Sequence, residues 1–525
     1  MKRMGLMLAI AALLAAADAP DGTRWWSYVS FLASDDLEGR NTGSPGHKKA
    51  AMYVAGQFER AGLLPGGTRG YIQPVPFNTM SVDESKSVLT LIRDGKETPV
   101  KFGDEAFLGA RGVSAEAVET DLVFVGYGLT IPEINHDDFK GLNVKGKIAV
   151  VFAGAPPGLS APLASHYQSG SERAATLKAA GAAGVVNIAN PKHSDIPWAR
   201  VAGNRGQMAM ALADPKAGES GGRVGIIWNP AKADMLFAGT GHSLDEIVEA
   251  AESKKPLPHF EIPAKLRARA AVNMGSVESQ NVIAIYPGSD PQLKNEYVVI
   301  SAHIDHLGVG KPVNGDAIFN GAMDNASGVA ALLDTAAYLK ETGVKSKRSI
   351  LFVVVTGEEK GLLGSRFFSM NPTVRAGAIV ADINTDMFLP LYPLKRLFVY
   401  GIDESTLGDD VRTIAKASGL EIEPDPDPQA NRFIRSDQYS FILRGIPSVS
   451  MKDGYVPGSP EEKIFKTWMT ERYHAVSDDL NQPVDKEAAA GFDRFVAKLL
   501  VHVANADRKP EWKKDSFFRR YENAK

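Results

Sequence analysis

Tyr297-Val298-Val299-Ile300-Ser301-Ala302-His303-Ile304-Asp305-His306 sets a short apolar run directly against two imidazoles and a carboxylate. A run of that length and content suits a strand covered on both faces of a sheet, with its polar end projecting beyond the carboxyl edge. The same construction recurs downstream. Residues 349–355 lead into Thr356-Gly357-Glu358-Glu359, and residues 378–383 lead into Asn384-Thr385-Asp386. Residues 281–286 form a further apolar run. Gly321-Ala322-Met323-Asp324-Asn325-Ala326-Ser327-Gly328 opens a helical pattern over 326–341, with Val329, Leu332, Leu333, Ala336 and Leu339 on one face. The last clear helix covers 486–504, where Phe492, Phe495, Val496, Leu499 and Val503 recur at helical spacing. The alternation predicts an α/β domain over 271–506, with a central, mostly parallel mixed sheet flanked by helices.

Upstream the texture differs. Residues 25–37 and 48–63 read as two amphipathic helices around the turn-rich Asn41-Thr42-Gly43-Ser44-Pro45-Gly46, with a strand next at 71–77, so that 20–82 form the first part of the same domain. Between 83 and 270, short β runs (122–125, 148–152, 185–188, 224–228) alternate with Gly/Pro-rich loops such as Pro156-Pro157 and Gly221-Gly222. One helix is expected there at 172–180. This stretch reads as an inserted β-rich domain with a helix or two. Residues 507–525, polar and spiked with aromatics, read as a C-terminal surface tail.

Residues 1–19 have the plan of a secretory signal: Lys2 and Arg3, an apolar stretch to Leu14, then a small-residue zone from Ala15 to Ala19. The apolar stretch is shorter than the roughly 20 residues that span a bilayer. The expected location is therefore exported, periplasmic or secreted, with no membrane attachment after processing. The 525 residues suit two or three domains, and 44% hydrophobic with 23% charged residues is a globular composition. A net charge of −3 gives no reason to expect nucleic acid as a partner. Cysteine is absent, which excludes disulfides, a thiol nucleophile and thiolate metal ligands.

The strand ends carry the chemistry, as expected at the carboxyl edge of an open α/β sheet. Uncompensated carboxylates in a partly buried site cost several kcal/mol or more. The four motifs contain no Lys or Arg, so a pair of metal ions is the economical compensation. Zinc accepts imidazole and carboxylate ligands, and a two-metal centre needs one bridging carboxylate and a free one to take a proton from water. Each motif has a plain structural alternative. His303-Ile304-Asp305-His306 suits a hydrogen-bonded cluster, Glu358-Glu359 a solvated helix start, and Asp324 a helix N-cap. Their joint occurrence at successive strand ends favours the metal centre.

With these motifs, the chain resembles the co-catalytic di-zinc aminopeptidases, the family that includes glutamate carboxypeptidase and the transferrin receptor ectodomain. It is most similar to bacterial exported members with an inserted protease-associated domain. Phe31-Leu32-Ala33-Ser34-Asp35-Asp36-Leu37-Glu38-Gly39-Arg40 is typical of them, as is Val125-Gly126-Tyr127-Gly128 with the later Val144-Lys145-Gly146-Lys147. The resemblance implies two zinc ions and peptide substrates. It makes His303, Asp324, Glu359, Asp386 and His474 the metal ligands, with Asp324 bridging. Asp305 is to hydrogen-bond and orient His303, Glu358 to act as general base and acid, and Tyr473 to help hold the oxyanion. Two departures stand out: Met323 where many relatives have aspartate, and Gln438 where they often have histidine. Neither position is a metal ligand in the family pattern.

The same fold supports carboxypeptidases, for which Arg432 and Arg435 offer cations to a terminal carboxylate. It also supports metal-free binding proteins. The complete ligand set favours an active enzyme, and the family resemblance implies that it acts on N-terminal residues.

Overall fold

The computed structural model describes residues 22–111, 117–194, 196–214, 216, 224–430 and 432–524. The expected signal, residues 1–19, and Gly221-Gly222 lie outside the described residues. Among the described residues no helix is long and apolar enough to cross a membrane.

Two sheets organise the chain. In the larger, ten-stranded sheet the order is Ala209–Leu212, Ile72–Val82, Val272–Tyr286, Ser349–Val355, Tyr297–His303, Ile379–Asn384, Ser448–Asp453, Arg396–Tyr400 and Glu421–Glu423. Leu64–Pro65 pairs beside Val272–Tyr286. The four strands from Ser349–Val355 to Ser448–Asp453 are mutually parallel. Their residues are almost wholly buried, which is why their sequences are continuous apolar runs rather than alternating ones. Helices Thr23–Leu32, Pro45–Arg60, Ser327–Thr342 and Lys486–Asn505 contribute to the core on one face, where Phe388 stacks on Phe492 with ring centroids 4.2 Å apart. Leu363–Met370 and Gln438–Ile442 send Phe368 and Phe441 into a separate core cluster with Val299 and Val353.

The sheet is mixed, as expected, and its parallel character is concentrated in the central four strands. On the flank toward Ala209–Leu212 it is antiparallel, because Ile72–Val82 and Val272–Tyr286 pair along eleven residues of antiparallel register. The chain leaves the domain on the first of these strands and returns on the second. Neighbouring exit and return strands must run in opposite directions.

Between them lies an eight-stranded sheet, ordered Lys96–Pro99, Val88–Arg93, Phe260–Arg269, Val118–Phe124, Ile148–Phe152, Gly184–Ile188, Val224–Trp228 and Ala106–Leu108. This stretch is more helical than expected, with Ala161–Gln168, Gly170–Ala179, Trp198–Gly203, Asp234–Phe237 and Leu244–Glu252. One of its strands, Ala209–Leu212, leaves that sheet and pairs with Ile72–Val82, tying the two units together.

The C-terminal segment is not a surface tail. Trp512 donates its indole N–H to the Gly445 carbonyl at 2.8 Å, and the Phe518 side chain is fully buried against Phe433. Its aromatic residues, which read as decoration on a polar segment, are the anchors that dock it. Phe518→Ala removes a fully buried ring at a cost of about 3–5 kcal/mol. It is expected to lower the main calorimetric unfolding transition by several degrees, whereas an unchanged transition would show that the segment is not part of the cooperative core.

Candidate metal centre

The four parallel strands end along one edge, and each sends polar residues over it. His303 closes Tyr297–His303, Glu358 and Glu359 come just after Ser349–Val355, Asp386 just after Ile379–Asn384, and Lys452 lies in Ser448–Asp453. Asp324 arrives from the segment that starts helix Ser327–Thr342, and His474 from the loop after helix Pro460–Glu471.

All five expected ligands converge. His303 Nε2 lies 3.3 Å from Asp324 Oδ1 and 3.4 Å from Asp386 Oδ1. His474 Nε2 lies 3.1 Å from Asp324 Oδ2 and 3.3 Å from Glu359 Oε2. Asp324 therefore faces a histidine with each oxygen. Glu358 joins the His303–Asp386 side, where the three side chains offer ligand atoms within 4.8 Å of one another.

His306, which its sequence context did not distinguish, is fully buried behind Glu359. Its Nδ1 approaches Glu359 Oε1 to 2.8 Å without hydrogen-bond alignment, and neither ring nitrogen has a partner. Ligand atoms of His306, Asp324 and Glu359 also lie within 4.8 Å of one another. Of the two histidines only His474 lines the cavity, so His474 is the better donor for an ion reached from solvent.

The donor set fits metal. Glu359 Oε1 and Asp386 Oδ1 are buried oxygens without hydrogen-bond partners, beside imidazoles directed at the same points. Burial opposes charge on His303, but Glu358, Asp324 and Asp386 outweigh it and raise the imidazole well above its usual range. His474 is raised likewise, against burial, by Glu359, Tyr473 and Asp324. Burial alone would raise Asp324, yet His303, His306 and His474 hold it well below the carboxylate range. Divalent ions displace such protons, since zinc binds neutral imidazole and ionised carboxylate. Glu358 goes the other way: burial first, then Glu359, Asp386 and Asp437, push it well above its usual value.

The supporting contacts are specific. Asp478, fully buried, accepts the backbone N–H of Met323 at 2.9 Å and of Asp324 at 3.0 Å, fixing the shared carboxylate. Asp324 is not the N-cap of the adjoining helix, a position held by Ala326. Asn325 accepts from the N–H groups of Gly328 and Met387 and donates to the Thr385 carbonyl, locking the Asp324 turn to the Asp386 turn. Gly321 has φ 62°, and a Cβ there would lie 2.2 Å from the Asp324 carbonyl oxygen and 2.5 Å from the His306 ring. Only glycine fits.

Asp305 acts differently from the expectation. His303 Nδ1 lies 3.1 Å from the Asp305 main-chain carbonyl, not from its carboxylate. The carboxylate accepts the Glu358 backbone N–H at 3.1 Å and the Thr42 hydroxyl at 2.8 Å. It thus fixes the Glu358 backbone, two strands meeting through one side chain. Tyr473 stacks obliquely on His474, centroids 4.1 Å apart, and its hydroxyl accepts from Arg435 at 3.4 Å.

Cations absent from the four motifs are supplied by the fold. Arg40, fully buried, donates to the carbonyls of Leu32, Ile304, Asn320 and Gly321 beneath the site. Burial lowers it to about 10, with Asp478 and Asp324 opposing, so it stays charged at neutral pH. Lys452 donates to the carbonyls of Asp386 at 2.7 Å and Met387 at 2.9 Å, and burial brings it down to about 8. The inserted stretch reaches in as well. Arg200 donates to the carbonyls of Tyr473 and Thr470, and Gln207 accepts from Lys360 at 3.1 Å.

The centre opens into a cavity of about 330 Å³. His303, Asp324, Glu358, Glu359, Asp386, Tyr473 and His474 line it together with Arg432, Arg435 and Lys452.

The chain is similar to several known proteins. Peptidase family M28 matches residues 281–500. Leupeptin-inactivating enzyme 1 of Streptomyces exfoliatus is 27% identical over 309 residues, 58% of this chain and 58% of that protein. Aminopeptidase Y of Saccharomyces cerevisiae is 24% identical over 339 residues, 60% of this chain and 56% of that protein. The chain thus spans little more than half the length of these relatives. The aminopeptidase from Aneurinibacillus sp. strain AM-1 shares the fold, with TM-score 0.56 and 20% identity over 94% of this chain and 95% of that one. The stretch that supplies the metal-capable side chains of the site, residues 281–500, is the one that matches peptidase family M28.

Proposed function

We propose that this chain is a zinc-dependent exopeptidase that removes N-terminal residues from peptides, with two zinc ions at the strand-end centre and Glu358 as general base. The observation that supports it is the sharing of Asp324, whose two oxygens face His303 and His474 separately. One carboxylate between two donor sets is what a pair of ions about 3.5–4 Å apart requires. His303, Asp324 and Asp386 would hold one ion, and Asp324, Glu359 and His474 the other. Zinc bound there supplies Lewis acidity, which polarises a carbonyl and acidifies water.

The side chains do the rest. Glu358, raised by burial and held at the cavity by Asp305, takes a proton from the attacking water and returns it to the leaving amine. Tyr473, its hydroxyl already accepting from Arg435, has its own proton free to donate to the oxyanion. The N-terminal sequence supports an exported location, periplasmic or secreted.

Chelation is expected to abolish hydrolysis of aminoacyl-p-nitroanilides, and zinc to restore it, with two zincs per chain by elemental analysis. Activity that survives complete removal of metal would refute this mechanism.

One observation favours a second reading. Arg432 and Arg435 line the cavity and suit the terminal carboxylate of a carboxypeptidase substrate. Matched N-free and N-blocked peptides separate the two, since cleavage confined to blocked peptides would overturn the aminopeptidase reading.

A further inference from the structure

We infer that the cleft between the inserted stretch and Ala430 is a second binding site, which takes the extended, uncharged chain of an oligopeptide downstream of the scissile bond. This rests on the exopeptidase reading above and names its substrate class: oligopeptides with an apolar tail, in preference to dipeptides.

The inserted sheet has a carboxyl edge of its own. Val118–Phe124, Ile148–Phe152 and Gly184–Ile188 are neighbouring, mutually parallel strands. A cavity of about 590 Å³ lies just beyond their ends. Tyr127 lines it after the first strand, Ala153, Gly154 and Ala155 after the second, and Ala189 and Asn190 after the third. The crevice outside the carboxyl ends of parallel strands is where such sheets bind ligands. The volume falls within the roughly 300–1,000 Å³ of ligand pockets.

Tyr127 points to the kind of ligand. It is only 3% exposed, yet among the described residues its hydroxyl has no hydrogen-bond partner. Burial, with Asp138 and Glu252 adding to it, pushes the phenol up to about 12, so it remains a donor at neutral pH. A buried hydroxyl is costly to leave unpaired, and a peptide carbonyl in the cavity supplies the acceptor. Gly154 makes room for the ring: its φ is 142°, and a Cβ there would lie 2.8 Å from Tyr127 Cε1. Much of the remaining wall is apolar, with Pro156, Pro157, Leu159, Ile196 and Val201. Its charges are already engaged or in solvent. Glu252 faces His193 at 3.0 Å and Asn190 at 3.4 Å. Arg435 donates to the Ala430 carbonyl and the Tyr473 hydroxyl, and Lys254 is exposed.

The cleft continues the metal chamber, because Arg435 lines both. The chamber, about 330 Å³, takes the terminal residue, and a chain running outward past Arg435 enters the cleft. Contacts between the inserted stretch and the rest of the chain hold the two in place. His166 Nδ1 lies 3.4 Å from the Tyr439 hydroxyl, and Arg200 donates to the carbonyls of Tyr473 and Thr470.

Zinc-replete full-length protein should be assayed for initial leucine release from Leu-Ala-amide, Leu-Ala-Ala-amide and Leu-Ala-Ala-Ala-Ala-amide, beside Leu-p-nitroanilide. The amides carry no terminal carboxylate, so the series reads length alone. From the shortest to the longest, kcat/KM is expected to rise by about tenfold or more, the scale of one hydrogen bond with apolar contacts. Aspartates or lysines in place of the downstream alanines should forfeit the gain. Ala189→Trp sets a large ring in the cleft from an exposed position, and should narrow the ratio of longest to shortest. Tyr127→Phe keeps the ring, removes the hydroxyl, and should narrow it too, which keeps the test valid if the tryptophan variant folds poorly. A kcat/KM flat across the series overturns the cleft while leaving the exopeptidase intact. So does a length effect that neither substitution alters, or a charged tail that does as well as alanine. No leucine released from any of these substrates overturns the exopeptidase reading and the cleft with it.

Discussion

Glu358→Gln is expected to keep both zinc ions and to lower kcat by about three orders of magnitude, within the range that general acid–base groups contribute. Glutamine preserves the shape of the side chain and its backbone N–H bond to Asp305, so the fold and the donor set stay in place. What it loses is the ability to accept a proton. The position is suited to that task because burial and the neighbouring Glu359, Asp386 and Asp437 raise the Glu358 carboxyl, against the pull of His303. Metal content and steady-state kinetics on one preparation decide the matter. A zinc-replete variant with near-normal turnover would remove Glu358 as the base. A variant that loses zinc would make Glu358 a ligand instead.

Asp324→Ala is expected to be more drastic, because it costs both ions. Removing the shared carboxylate leaves His303 with Asp386 on one side and His474 with Glu359 on the other. Two protein ligands are fewer than the three or four that zinc sites use. Elemental analysis should find little zinc after dialysis, and hydrolysis should be undetectable. His303→Ala, which touches one donor set only, should retain part of the metal. Two zincs retained in Asp324→Ala would show that Asp324 does not bridge, and would turn attention to His306, which already lies 2.8 Å from Glu359.

Much of this centre was legible in the chain itself. Residues 350–355 are apolar because their strand is covered on both faces, and burial along the whole of Ser349–Val355 is what the run predicted. His303, Glu358, Glu359 and Asp386 sit at or just past the ends of such runs, since side chains beyond the carboxyl edge of a sheet have nowhere else to gather. Asp324 and His474 depend more on resemblance, as neither terminates a strand.

Other features came only with the tertiary structure. Arg40 and Asp478 lie far from the motifs in sequence, and nothing local marks a buried guanidinium under the site or a carboxylate holding two backbone N–H groups. The part played by Asp305 turned on its main-chain carbonyl, not its carboxylate, facing His303, which the backbone path beyond the strand decides. Phe518 and Trp512 looked like surface aromatics because a docked terminal segment has no periodicity to betray it. By itself, then, the sequence determined the α/β core and the metal-capable strand ends, because burial and strand polarity are written in local patterns. The antiparallel flank, the cations around the centre and the docked C-terminus were decided by tertiary structure, because each depends on contacts between residues that only the folded chain brings together.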